Sequence, residues 1–222
     1  MTDTVIFDLD GTLLDTLEDL TDSVNHAMET FGFPLHTIDE VRTFVGNGAP
    51  KLLERSIPQG LENPDYEAAL AAFKAHYAAH CEDKTKPYEG VPGMLAALKA
   101  QGYHMAVVSN KFDGAVKKLC KKYFGEFIQV SIGESSEVKR KPAPDTVYRA
   151  LRELGCDASR AVYVGDSEVD IQTAKNASLP CISVTWGFRT EEKLRDEGAP
   201  EHMMIRTPQK LVPLLALLRE EG

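Results

Sequence analysis

Two aspartates one residue apart, Asp8 and Asp10, close the apolar run Val5-Ile6-Phe7 and are followed at once by Gly11 and Thr12. Carboxylates held this close repel unless a cation or a shared proton lies between them. Gly11 lets the chain turn through a conformation that other residues avoid. Two acids at the end of a buried strand suit the holding of a hard cation; the same residues would also serve an ordinary solvated Asp-Gly turn. The pattern recurs. Ser109-Asn110 follows the apolar run that begins at Tyr103, and Gly165-Asp166 follows Ala161-Val162-Tyr163-Val164. If these runs are parallel strands of one sheet, their ends lie along one edge, and residues a hundred apart in sequence converge there. Acids would then face a cation while a hydroxyl and an amide hold oxygens.

The elements that must position these residues follow from periodicity. Leu17, Leu20, Val24, Met28 and Phe31 fall at helical spacing, as do Ile38, Val41 and Val45, then Leu52, Leu53 and Ile57, then Tyr66, Leu70, Phe73 and Tyr77. No strand pattern interrupts residues 16–82, which read as an all-helical insertion. The Pro- and Gly-rich stretch from Thr85 to Gly93 is its return linker. Beyond it, helix and strand patterns alternate: strands near 103–108, 127–132, 161–164 and 181–184 with an edge strand at 203–205, and helices near 91–101, 145–154, 169–177 and 211–218, with a Lys-rich helix between Asn110 and the strand near 127. Alternation of this kind builds a parallel sheet covered on both faces. The expected architecture is an α/β, Rossmann-like core of residues 1–15 and 83–222, interrupted by a helical cap of residues 16–82.

Composition narrows the function classes. The 222 residues are 43% apolar and 27% charged, with 34 acids against 25 bases and a net charge of −9. No basic stripe suits a nucleic-acid partner. No segment has the ~18 consecutive apolar residues of a membrane span, and the first strand is expected without a preceding signal sequence. Cys81, Cys120, Cys156 and Cys181 form no CxxC pair and read as free thiols of a cytoplasmic protein. His26, His36, His76, His80, His104 and His202 show no spacing that reads as a ligand set and are expected to be surface or core residues.

Taken together, Asp8-Leu9-Asp10-Gly11-Thr12, Ser109-Asn110, Lys141-Pro142 and Gly165-Asp166-Ser167-Glu168-Val169-Asp170 resemble the four motifs of the haloacid dehalogenase superfamily in its phosphatase branch, in order and over essentially the whole chain. The resemblance implies roles. Asp8 would be the nucleophile that forms an aspartyl-phosphate, a choice between Asp8 and Asp10 that only the family makes. Asp10 would protonate the leaving oxygen and then activate water. Its presence favours phosphate chemistry, because relatives that expel halide lack a second Asp. Mg²⁺ would take Asp8, the backbone carbonyl of Asp10 and Asp166; Asp170 would reach the metal through water, or would simply be a helix-start acid. Ser109 and the Asn110 amide would hold phosphoryl oxygens, unless they cap the following helix. Lys141, favoured over Lys139 and Arg140 by the adjacent Pro142, would bridge nucleophile and phosphate. Thr12 would position Asp10, and Lys111 would add positive potential for substrate.

In the cap, Gly46-Asn47-Gly48 joins two helical patterns and is similar to the substrate-choosing cap loop of phosphoglycolate phosphatases; a plain helix–helix turn is the other reading. The resemblance therefore implies a Mg²⁺-dependent phosphomonoesterase acting on a small phosphorylated metabolite, as a monomer or homodimer. Inorganic pyrophosphatase and β-phosphoglucomutase share this core and cap placement. A phosphonatase would need a Schiff-base lysine in the cap, where Lys51 and Lys74 fit no such pattern. A phospho-accepting signalling or binding module is the alternative outside enzymes.

Overall fold

The structure, a computed structural model, describes residues 2–220. The chain opens on strand β1 (Thr4–Phe7) and the two-residue β2 (Leu14–Asp15), then forms helices α1 (Leu17–Phe31), α2 (Ile38–Phe44), α3 (Gly48–Ser56) and α4 (Tyr66–His80). After β3 (Lys86–Pro87) come α5 (Val91–Ala100), β4 (His104–Phe112), α6 (Asp113–Phe124), β5 (Val130–Glu134) and α7 (Asp145–Leu154). The order ends with β6 (Ala161–Gly165), α8 (Glu168–Asn176), β7 (Cys181–Val184), α9 (Glu191–Asp196), β8 (Met204–Ile205) and α10 (Leu211–Glu220). Two compact units result, Met1–Leu14 with Pro87–Gly222, and Asp15–Lys86.

The first unit is built on a six-stranded sheet of order β5-β4-β1-β6-β7-β8, every pair parallel. This is the expected α/β architecture, and its physical cause is plain in β1. Val5, Ile6 and Phe7 are all fully buried: Val5 and Phe7 join one apolar layer with Met105, Val107, Val162 and Val164, while Ile6 joins the opposite layer with Ala106, Val108 and Tyr163. A strand covered on both faces reads as a continuous apolar run rather than an alternating one. Each such side chain contributes about 1.5–3 kcal/mol of burial, so the strand that carries the first acids is rigidly held. Phe7 pairs with Val107 of β4 on one side and Val164 of β6 on the other. The residues that follow these strands therefore meet at one edge.

Strand β4 runs through Ser109-Asn110-Lys111 to Phe112, with an irregularity in its pairing after Val108, and α6 begins only at Asp113. Ser109 and Asn110 are thus strand residues, and the alternative reading of them as caps of the following helix is not met, since Phe112 precedes α6. Helix α9 and several 3-10 turns were not foreseen in the sequence.

The second unit is helical. Leu20, Val24, Ala27 and Met28 of α1 are buried, as are Leu70, Phe73 and Tyr77 of α4, the helix that packs against it. The Asp19 carboxylate, 2% exposed, accepts backbone N–H bonds from Lys84 (2.9 and 3.2 Å) and Thr85 (2.9 Å). That anchorage of the return segment to α1 explains why the unit extends to Lys86 rather than stopping near residue 82. Among the described residues, no helix is long and apolar enough to cross a membrane.

Candidate active site

Three carboxylates from two distant parts of the sequence meet where β1 and β6 end. Asp8 follows β1, Asp166 follows β6, and Asp170 lies in the first turn of α8; each offers an oxygen within 4.8 Å of the others, and all are buried. The Asp8 N–H donates to Val164 O at 2.8 Å, fixing the first acid beside the strand that supplies the second. Burial and the neighbouring charge of Asp170 push the Asp8 carboxyl up to about 7, although Lys141 opposes them. Burial, Asp170 and Asp8 likewise hold Asp166 well above the usual carboxylate range.

One buried ammonium serves this group. Lys141, 3% exposed, places Nζ 2.7 Å from Asp8 Oδ1 and 2.8 Å from Asp170 Oδ1, and donates to the Tyr163 hydroxyl at 3.1 Å. Burial alone would lower the lysine; Asp170 and Asp8 outweigh it and hold the ammonium above its ordinary value. Its backbone is clasped by Asn110, whose Oδ1 accepts the Lys141 N–H (2.8 Å) and whose Nδ2 donates to the Lys141 carbonyl (3.0 Å). Lys141, not Lys139 or Arg140, is therefore the basic residue beside the acids.

Asp170 is saturated by protein donors. Its Oδ1 accepts from Lys141 Nζ and from the Tyr163 hydroxyl (2.9 Å), and its Oδ2 accepts from the Ser167 N–H (3.1 Å) and Oγ–H (2.6 Å). With four donors in place, this carboxylate orients Lys141 and starts α8 as half of a capping box. These bonds match the reading of Asp170 as a helix-start acid, and the same side chain stands in the acid group.

Asp166 sits in a cradle that sequence reasoning largely missed. Oδ2 accepts the Phe188 N–H at 2.7 Å, and Oδ1 accepts the Thr12 hydroxyl at 3.3 Å. Thr12, expected to position Asp10, thus contacts Asp166. The Trp186 indole N–H donates to the Thr12 carbonyl at 3.0 Å. A Cβ at Gly11, whose φ is +83°, would collide with the Asp166 carboxylate, and one at Gly187 would strike both Gly11 O and Asp166. The glycines make room for the acid. Beside it Arg189 grips Glu168 through two bonds, 2.8 and 3.1 Å. The stretch Trp186–Arg189 resembles the family only loosely in sequence; its one usable signal is a glycine three residues beyond the end of β7. Tyr163 was hidden too, since its apolar neighbours mark it as core.

Asp10 points to a second ammonium: Lys111 Nζ lies 2.6 Å from Asp10 Oδ1, and the lysine is 8% exposed. Ser109, 2% exposed, accepts the Lys111 N–H at 3.2 Å. In the helical unit, Gly46 and Gly48 have φ of +118° and +81°, and Asn47 Oδ1 accepts a 3.0 Å bond from Arg55, which also donates to Phe44 O at 2.6 Å. The loop is a stapled turn between α2 and α3.

The donor set fits a hard divalent cation. Three buried carboxylates gather here, only Asp8 and Asp170 of them on the Lys141 ammonium, Asp8 and Asp166 are pushed toward protonation by burial and crowding, and all three offer oxygen as the ligand atom. Asp8 and Asp166 would hold such an ion.

The sequence profile of the haloacid dehalogenase-like hydrolases matches residues 5–184. A phosphoglycolate phosphatase of Pseudomonas syringae is 33% identical over 94% of this chain and 78% of its own length. One from Aquifex aeolicus is 31% identical over 95% of both chains. The crystal structure of a candidate phosphoglycolate phosphatase from Lactobacillus delbrueckii superposes with a TM-score of 0.90 at 35% identity, covering 95% of this chain and 97% of that one. The profile match and these relatives, added to the parallel sheet and its edge of buried acids, establish that the chain belongs to the haloacid dehalogenase-like hydrolases.

Proposed function

We propose that this phosphatase cleaves small phosphate monoesters by attack of Asp8 on phosphorus, and that 2-phosphoglycolate, or a closely similar phosphorylated hydroxy acid, is its preferred substrate. The observation that carries the reading is the burial of Asp8, Asp166 and Asp170 together at adjoining strand ends, with Lys141 bridging Asp8 and Asp170. In the first step an Asp8 oxygen bonds to phosphorus as the ester oxygen leaves with a proton from Asp10. In the second, Asp10 takes a proton from water, whose oxygen attacks the aspartyl-phosphate and releases phosphate and the free Asp8 carboxylate. Lys141 holds the nucleophile in place and faces the phosphoryl oxygens, with Ser109 and the Asn110 N–H as further donors. A divalent cation, Mg²⁺ in this reading, held by Asp8, Asp166 and the Asp10 carbonyl, would offset the repulsion between Asp8 and a phosphate dianion. Uncatalysed monoester hydrolysis is slow enough that acceleration reaches ~10²¹-fold, so concentrated electrostatics is what the reaction needs.

The substrate assignment rests on the names of the relatives and on Lys111, a second buried ammonium suited to a substrate carboxylate. We include the loop Gly46-Asn47-Gly48 in substrate choice on the same ground of likeness. Four free cysteines accord with a reducing, cytoplasmic setting.

Turnover on phosphoglycolate, pyrophosphate and sugar phosphates, each with and without EDTA, tests this. Phosphoglycolate should give the highest kcat/KM, EDTA should stop turnover, and Asp8→Asn should be inactive on every substrate. Faster cleavage of pyrophosphate would overturn the substrate assignment, and robust turnover by Asp8→Asn would overturn the nucleophile.

A further inference from the structure

We propose that the helical unit carries a second metal site, taking a transition-metal dication such as Zn²⁺ through His26, His76 and His80, with Glu29 as an oxygen donor. Three histidines that sequence spacing did not connect stand together here. The His26 and His76 rings are stacked with centroids 4.2 Å apart, and the His76 and His80 rings at 4.3 Å. His76 and His80 lie four residues apart on α4, and His26 and Glu29 three apart on α1, so each helix presents a pair on one face. All four line a polar cleft of about 370 Å³, together with Asp22 and Asp83. These carboxylates favour a cation, and imidazole selects zinc, copper or nickel over magnesium.

Hydrogen bonding fixes the tautomers. The one Ser23 hydroxyl proton goes to the Asp19 carbonyl (2.8 Å), so at the 3.0 Å contact with His76 it is Nδ1–H of the ring that donates. His80 Nδ1 lies 2.8 Å from Asp83 Oδ2, an acceptor, and donates as well. With Nδ1–H engaged, a neutral ring at either position carries its lone pair on Nε2. A histidine held through Nδ1–H by an oxygen is the usual state of a metal ligand. Burial and the neighbouring His26 and His80 lower the pKa of His76, which keeps its ring neutral at pH 7. The rings lie face to face, so binding requires them to swing their nitrogens together. His26 and His80 are exposed and have the room to turn.

The test is Zn²⁺ titration of the full chain labelled with ¹⁵N-histidine, in excess Mg²⁺ to occupy the acid cluster. We expect the Nε2 resonances of His26, His76 and His80 to shift together and saturate at one equivalent. A His26→Gln/His80→Gln variant, changed only at exposed positions, should bind zinc at least tenfold more weakly. Unshifted Nε2 resonances in these three rings, or undiminished zinc affinity in the variant, would overturn the site.

Discussion

Lys111 Nζ stands 2.6 Å from Asp10 Oδ1, an ion pair spanning 101 residues of sequence and nearly closed to solvent on the lysine side. It places a positive charge on the carboxylate that the proposed reaction uses as acid and base, and puts an ammonium where the proposed substrate's anionic tail would be recognised. Lys111→Met should raise KM for phosphoglycolate about tenfold or more, which is ~1.4 kcal/mol of binding, while changing kcat less. Steady-state kinetics with phosphoglycolate and with an uncharged-tail phosphomonoester checks this; the two substrates should respond unequally.

Asp8 and Asp170 share Lys141, yet Asp8 is still driven upward by burial and by Asp170. The folded protein therefore buries more carboxylates here than Lys141 neutralises. Asp8→Asn should abolish turnover and, measured in EDTA, raise the melting temperature, because a crowded buried charge is removed while the Lys141–Asp170 pair remains. Calorimetry of both proteins without metal reads the difference. A lower Tm for the variant would show that the Lys141–Asp8 contact outweighs the crowding.

Gly187 presses against Gly11 O and Asp166, whereas a Cβ at Gly93 in α5 would meet nothing within 4 Å. Gly187→Ala should cost about 1–3 kcal/mol, the ordinary range for overpacking, and should lower kcat with it because Asp166 must move. Gly93→Ala should leave activity intact and stability unchanged or up to ~1 kcal/mol higher, since alanine has less freedom to lose. Urea unfolding of the two variants alongside activity separates these outcomes.

The sequence made most of this site legible because its parts lie where apolar runs end. β1 and β6 carry near-continuous apolar residues that a doubly covered strand accommodates, and α7 spans Asp145–Leu154 as its periodicity predicts. Local pattern failed where tertiary bonds decide. Ser109-Asn110-Lys111 looks like the end of a strand, yet the strand continues, because Asn110 is satisfied by Lys141 and Lys111 by Asp10. The Phe188 N–H that holds Asp166 has no side-chain signature at all. His26 and His76 are fifty residues apart, and only the packing of α1 on α4 brings their rings into contact.

Cys120 lies on the α6 face that packs into the core, and burial, with the Asp10 charge adding to it and Lys111 opposing, pushes its thiol up to about 12. Only the thiolate reacts with alkylating agents, so at pH 8 the reactive form is scarce in the native protein. Once unfolded, the same thiol ionises near its ordinary value of 9.0. Above pH 9 the unfolded chain therefore binds fewer protons than the native one at this position, and stability contributed by the protonated, buried thiol is lost as pH rises. Iodoacetamide at pH 8, followed by peptide mass mapping, should leave Cys120 unmodified in native protein and modify it fully in urea. Native labelling of Cys120 at the unfolded rate would mean that α6 opens from the sheet far more often than its buried face allows.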